Sequence, residues 1–166
     1  MKSREMIRLI KGWTLAALFF AVGAAPSGAQ QAATGAIYRI PVTGVVEMGL
    51  APFIERSLNE AAAAGARAAV LDIDTPGGRV DSAEQIADAI ADAQIPVYAF
   101  VNRRALSAGA LIALATDGIY MRPGSTIGAA TPITGDGAPA SEKVVSAMRS
   151  AFRSLAEARG LDPRVA

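Results

Sequence analysis

Ala68-Ala69-Val70-Leu71-Asp72-Ile73-Asp74-Thr75-Pro76-Gly77-Gly78 is the stretch on which the fold turns. Ala68 to Ile73 is a short apolar run, and Thr75-Pro76-Gly77-Gly78 ends it abruptly, as a turn ends a buried strand. In an α/β sheet such a turn falls at the carboxyl end of a strand, where ligands collect. Two consecutive glycines let backbone N–H groups approach a substrate with no side chain in the way. A plain strand-to-helix turn would have the same composition.

Moving outward, strands and helices alternate. Ala36 to Val46 is rich in Ile, Tyr and Val, with Pro41 and Gly44 interrupting, and reads as one or two short strands. Ala51 to Ala64 carries Phe53, Ile54, Leu58, Ala61 and Ala62 at helical spacing, with Gly65 suited to the C-terminal cap. Beyond the glycines, Asp81 or Ser82 can cap a second helix through Ala93, with Ile86, Ala89, Ile90 and Ala93 on its apolar face. Gln94-Ile95-Pro96 breaks it, and Val97 to Val101 is the next strand. A small-residue helix follows over Ala108 to Ala115, then a strand over Gly118 to Met121, a Pro123-Gly124 turn and the segment Ser125 to Ala130. Thr131 to Ala140 is expected to be a mobile loop. Ser141 can cap a last amphipathic helix carrying Val144, Val145, Met148, Phe152 and Leu155. Strands separated by helices of this length favour an α/β fold with mainly parallel pairing.

The N-terminus reads differently. Lys2, Arg4, Arg8 and Lys11 precede an apolar stretch from Trp13 to Ala25, and Ser27-Gly28-Ala29 offers small residues for cleavage. This is the pattern of an export signal over residues 1–29, or of an uncleaved N-terminal anchor. The stretch is short for a membrane span, which needs about 20 apolar residues. Cleavage leaves 137 of the 166 residues, enough for one domain. Four of the 16 basic residues and one of the 15 acidic ones lie in the signal, leaving twelve against fourteen, a net of −2. No basic patch implies nucleic acid. The chain has no cysteine, which removes disulfides, thiol catalysis and the usual structural zinc sites. Nothing in it points to a metal or a cofactor.

With no histidine in the chain, a serine nucleophile would need another base. Ser107, in Ala105-Leu106-Ser107-Ala108-Gly109, stands just before a small-residue helix, where backbone N–H groups converge and the helix dipole is positive. Ala108 and Gly109 keep the space around Oγ open. The simpler reading is that Ser107 only caps the helix. Lys143 is the one lysine after residue 29, where the other eleven basic residues are arginine. Arginine cannot give up its proton, whereas lysine can. If Ser141 is the cap, Lys143 falls in the first helical turn; the positive dipole end there, and burial, would each favour the neutral amine. A carboxylate or the new N-terminus are the other candidate bases.

Leu71 to Gly78, Ile95-Pro96-Val97, Leu106-Ser107-Ala108-Gly109-Ala110 and Met121 to Ala130, in that order, resemble the NfeD group of membrane-bound serine proteases. The resemblance covers about Ile37 to Arg159. It implies the ClpP/crotonase fold of stacked β-β-α units, with residues 30–166 forming a ClpP-like protease domain. It further implies Ser107 as nucleophile, Lys143 as general base, and Gly77 and Gly78 in the oxyanion-hole segment with the Ala108 N–H as a second donor. Such enzymes cleave apolar segments, notably near the C-terminus of a stomatin-like partner, and form dimers. The implied location is outside the cytoplasm, periplasmic or at the membrane. Relative to that family the chain stops early at Ala166, so the domain is expected to be C-terminally incomplete. Two other readings remain: a crotonase-like acyl-thioester enzyme, for which Asp74 and Asp81 are the nearest carboxylates, and an inactive scaffold.

Overall fold

The computed structural model describes residues 35–130 and 137–160. The proposed signal and residues 131–136 of the expected loop lie outside them. Nine elements follow in order: β1 (Ile37–Thr43), α1 (Leu50–Ala63), β2 (Ala68–Thr75), α2 (Val80–Ala91), β3 (Val97–Leu106), α3 (Ala108–Ala115), β4 (Gly118–Met121), β5 (Thr126–Gly128) and α4 (Glu142–Ala158). The sheet runs β1-β2-β3-β4, every pair parallel, and β5 joins the far end of β3. The α/β class with a mainly parallel sheet is therefore the one observed.

Period-two alternation builds the core. Ile40, Leu71 and Ala99 lie across one row of the sheet, and Val42, Ile73 and Val101 across the next. All six are buried. Ile54 and Leu58 of α1, Ile86 of α2 and Leu111 and Ile112 of α3 complete the same cluster. Side chains on the alternate rows are more exposed, and there Arg39 pairs with the buried Asp72. α3 is apolar all round and six of its eight residues are buried, so it sits inside the molecule. α4 is amphipathic and presents Met148, Phe152 and Ala156 at four-residue spacing; Nη1 of Arg159 at its end donates to the Leu114 carbonyl at 3.2 Å.

Several boundaries differ from expectation. β3 runs five residues past Val101, because Arg104 to Leu106 pair with Thr126 to Gly128. β3 thus changes partner midway, from β4 to β5, and its register against β2 shifts between Ile73 and Thr75. α2 starts earlier than a cap at Asp81 or Ser82 implies: Arg79 holds the N-cap position and makes no side-chain capping bond. The glycine turn feeds directly into the helix there, with Arg79 N–H bonded to the Val46 carbonyl at 2.8 Å. Gly65 does end α1, at φ +70, with its N–H on Ala62 O and the Ala66 N–H on Ala61 O.

Gly109 shows how closely α3 approaches the sheet. An alanine usually favours a helix over glycine by about 0.5–1 kcal/mol. Here the added Cβ would lie 2.4 Å from Cγ2 of Thr75, a residue with no exposed surface. Overpacking of this kind costs about 1–3 kcal/mol, so Gly109→Ala is expected to destabilise. A urea midpoint at or above wild type would contradict it.

Candidate active site

β3, a strand with alternate residues buried, delivers Ser107 to the N-terminus of α3. Ser107 occupies the N-cap position with φ 52° and ψ −118°, a conformation L side chains rarely adopt. Its side chain makes no capping bond. Ser107 thus holds the cap position without capping through its side chain: among the described residues its hydroxyl makes no hydrogen bond, and its backbone is strained. Strain at a single non-glycine residue is typical of functional sites, and a sharp strand-to-helix turn is the device that exposes a nucleophilic serine. The backbone is held in place by Ser107 N–H bonded to the Gly128 carbonyl at 2.8 Å, which is the end of β5. Sequence reasoning assigned no strand there. Ala129 next to it also has a positive φ of 51°.

The glycine turn lies directly against the serine. A Cβ built on Gly77 would fall 2.7 Å from Cβ of Ser107 and 3.3 Å from its Oγ. The four backbone groups around the turn divide sharply. Gly77 N–H is taken by Oγ1 of Thr75 at 3.0 Å, and the Gly77 carbonyl by Val46 N–H at 2.9 Å. The N–H groups of Gly78 and Ala108 have no hydrogen-bond partner among the described residues. The Ala108 donor is one of the orphans every helix N-terminus carries.

Lys143 is the second residue of α4; Ser141 holds the N-cap position as expected but makes no side-chain capping bond. It is exposed rather than buried. The cause is helical phase: Lys143 is nine residues before the buried Phe152, about half a turn round the helix at ~100° per residue. It makes no hydrogen bond or ion pair among the described residues, so the structure joins Ser107 to the glycine turn and leaves Lys143 unengaged.

Of the alternative carboxylates, Asp81 is hydrogen-bonded, whereas Asp74 has arginines only at ion-pair distance and its buried Oδ1 has no hydrogen-bond partner among the described residues. Asp74 lies beside Arg104, with Nε 3.5 Å from Oδ1, and Arg103. Asp81 accepts from Arg79 Nε at 3.0 Å; that hydrogen bond holds its carboxyl below the usual carboxylate range and raises the guanidinium. In the sequence Thr75 reads only as part of the turn. Its parity could have revealed more, because it lies in step with buried Ala69, Leu71 and Ile73 and is thus an inward polar group needing a partner.

A parallel α/β sheet that presents a strained serine at a helix N-terminus beside a glycine turn defines a ClpP-like fold. Listeria monocytogenes ClpP1 shares the fold with a TM-score of 0.62 at 22% identity, covering 76% of this chain and 74% of that one. Residues 36–166 match the NfeD1b N-terminal domain, and the chain belongs to that family. It is 48% identical over 130 residues to membrane protein NfeD1b of Bacillus subtilis, covering 78% of this chain and 30% of that protein. To membrane-bound protease PH1510 of Pyrococcus horikoshii it is 32% identical over 138 residues, covering 78% and 31% respectively. The chain thus spans under a third of the length of these curated relatives. A lysine-to-alanine mutant of the 1510-N membrane-bound stomatin-specific protease, solved in complex with a substrate peptide, superposes with a TM-score of 0.75 at 30% identity over 81% of this chain and 65% of that one. Among the described residues no helix is long and apolar enough to cross a membrane.

Proposed function

We propose that the chain is the catalytic domain of a serine endopeptidase with Ser107 as nucleophile and Lys143 as general base. The observation that carries this reading is Ser107 itself, strained, uncapped and in contact with a glycine turn. Neutral Lys143 takes the Oγ proton and Oγ attacks a peptide carbonyl. The oxyanion is received by the N–H groups of Gly78 and Ala108, while Gly77, whose own N–H is occupied, supplies the close approach. The lysine ammonium then protonates the leaving amine, and water releases the acyl-enzyme. Catalytic hydrogen bonds in ligand-free enzymes are often long and tighten only with substrate, so an unengaged Lys143 is compatible with this role. The 1510-N mutants solved with a serine or a lysine replaced by alanine, the latter holding a substrate peptide, support the same pair.

Substrates are apolar segments of membrane-associated proteins, with a stomatin-like partner favoured by the name of the 1510-N relative. Exposed Val45, next to the residue that bridges Gly78, and Ile127 on β5 give the site apolar flanks. The working form is an exported, membrane-associated homodimer, with residues 1–29 as the signal. Labelling of Ser107 by a fluorophosphonate in the folded chain tests the reading against an inactive scaffold; an unlabelled Ser107 overturns it. An acyl-thioester enzyme has no supporting observation, since Asp74 and Asp81 are both paired with arginines.

A further inference from the structure

We propose that Thr75 is a positioning residue whose hydroxyl sets the direction of the Gly78 N–H, and so builds the oxyanion site. The inference rests on the peptidase reading above. Thr75 ends β2 and is fully buried. Its hydroxyl donates its one proton to the Gly44 carbonyl at 2.5 Å, since the Gly77 carbonyl is a distant 3.5 Å. That leaves an Oγ1 lone pair to accept the Gly77 N–H at 3.0 Å. Its methyl lies against the Cα of Gly109, at the start of the serine-bearing helix. One side chain therefore registers three segments: the loop after β1, the glycine turn and α3.

The loop after β1 matters because it carries Val46. Val46 N–H holds the Gly77 carbonyl at 2.9 Å, and Arg79 N–H holds the Val46 carbonyl. The carbonyl of Gly77 and the N–H of Gly78 belong to one planar trans peptide and point in opposite directions. Fixing that carbonyl on Val46 turns the Gly78 N–H to the other side, where it has no partner among the described residues. Thr75 fixes the preceding peptide through Gly77 N–H and, through Gly44, the loop that reaches Val46. Without the hydroxyl the turn loses both anchors, although the residue that replaces it touches no substrate.

The test compares Thr75→Val, which keeps the shape and loses the hydroxyl, with Thr75→Ser, which keeps both bonds, in the full chain cleaving an apolar peptide. Thr75→Val is expected to lower kcat about 10²-fold, the scale on which small misplacements act, with KM within about twofold. Thr75→Ser is expected to restore kcat to within a few-fold of wild type. A Thr75→Val enzyme with wild-type kcat, or a Thr75→Ser enzyme as impaired as it, overturns the inference. Amide hydrogen exchange gives a reading independent of turnover: the Gly77 amide of the wild-type chain should exchange slowly, and faster in Thr75→Val. Exchange of the wild-type Gly77 amide at the rate of a free amide overturns the inference even if Thr75→Val does not fold. A wild-type chain that cleaves nothing would sink the peptidase reading instead, and the exchange rates then judge Thr75 alone.

Discussion

Ser107→Ala is expected to lower kcat/KM by four to six orders of magnitude, about the loss seen when a nucleophile is removed from a serine protease. Lys143→Ala should cost nearly as much, and the double variant little more than either, because the two act as one unit. Stability separates this role from a structural one. Among the described residues Ser107 makes no side-chain hydrogen bond that alanine would lose, so the Ser107→Ala unfolding midpoint should stay close to wild type. Ser107→Gly should go further and gain stability, since its φ of 52° is a strained one for any side chain and natural for glycine. A serine that serves the fold would behave the opposite way, with both variants less stable. Undiminished turnover in Ser107→Ala or in Lys143→Ala removes the dyad.

Local signals carried much of the fold. Helical spacing marked α1 to within one residue, and the bounds of α3, a run of small residues, and of β4 were read directly, because apolar periodicity and Gly or Pro punctuation act over a few residues. What was hidden depended on distant partners. Asn102-Arg103-Arg104 reads as a polar exit from β3, yet Arg104 pairs with Thr126 across 22 positions and keeps the strand going. The site divides in the same way. Ser107 and the two glycines were legible as residue types beside strand ends. The strain at Ser107, the occupied Gly77 amide and the inward Thr75 hydroxyl arise only when three segments meet. Lys143 was legible by elimination, but its exposure follows from which face of α4 is buried.

Substituting the glycine turn should separate the two halves of the site. In Gly78→Ala the new Cβ would fall 2.2 Å from the Val46 carbonyl oxygen and 2.7 Å from its nitrogen. Both are backbone atoms already hydrogen-bonded to the turn, so no rotamer change relieves the clash; the loop after β1 has to detach. Loss of the two bonds at Val46, at about 1 kcal/mol each, adds to an overpacking cost of about 1–3 kcal/mol. A destabilisation of roughly 3–5 kcal/mol is expected, with activity lost because the Gly78 N–H is no longer aimed. Gly77→Ala meets the Leu106 carbonyl oxygen and Cβ of Ser107, each at 2.7 Å, at a φ of +100°. It pushes on Ser107, the proposed nucleophile, so kcat should fall about 10²-fold or more in whatever fraction stays folded. Normalising rate to folded protein by circular dichroism distinguishes the cases. A Gly77→Ala chain with wild-type kcat per folded molecule would mean that the turn does not border the reacting serine, and the oxyanion assignment would fall with it.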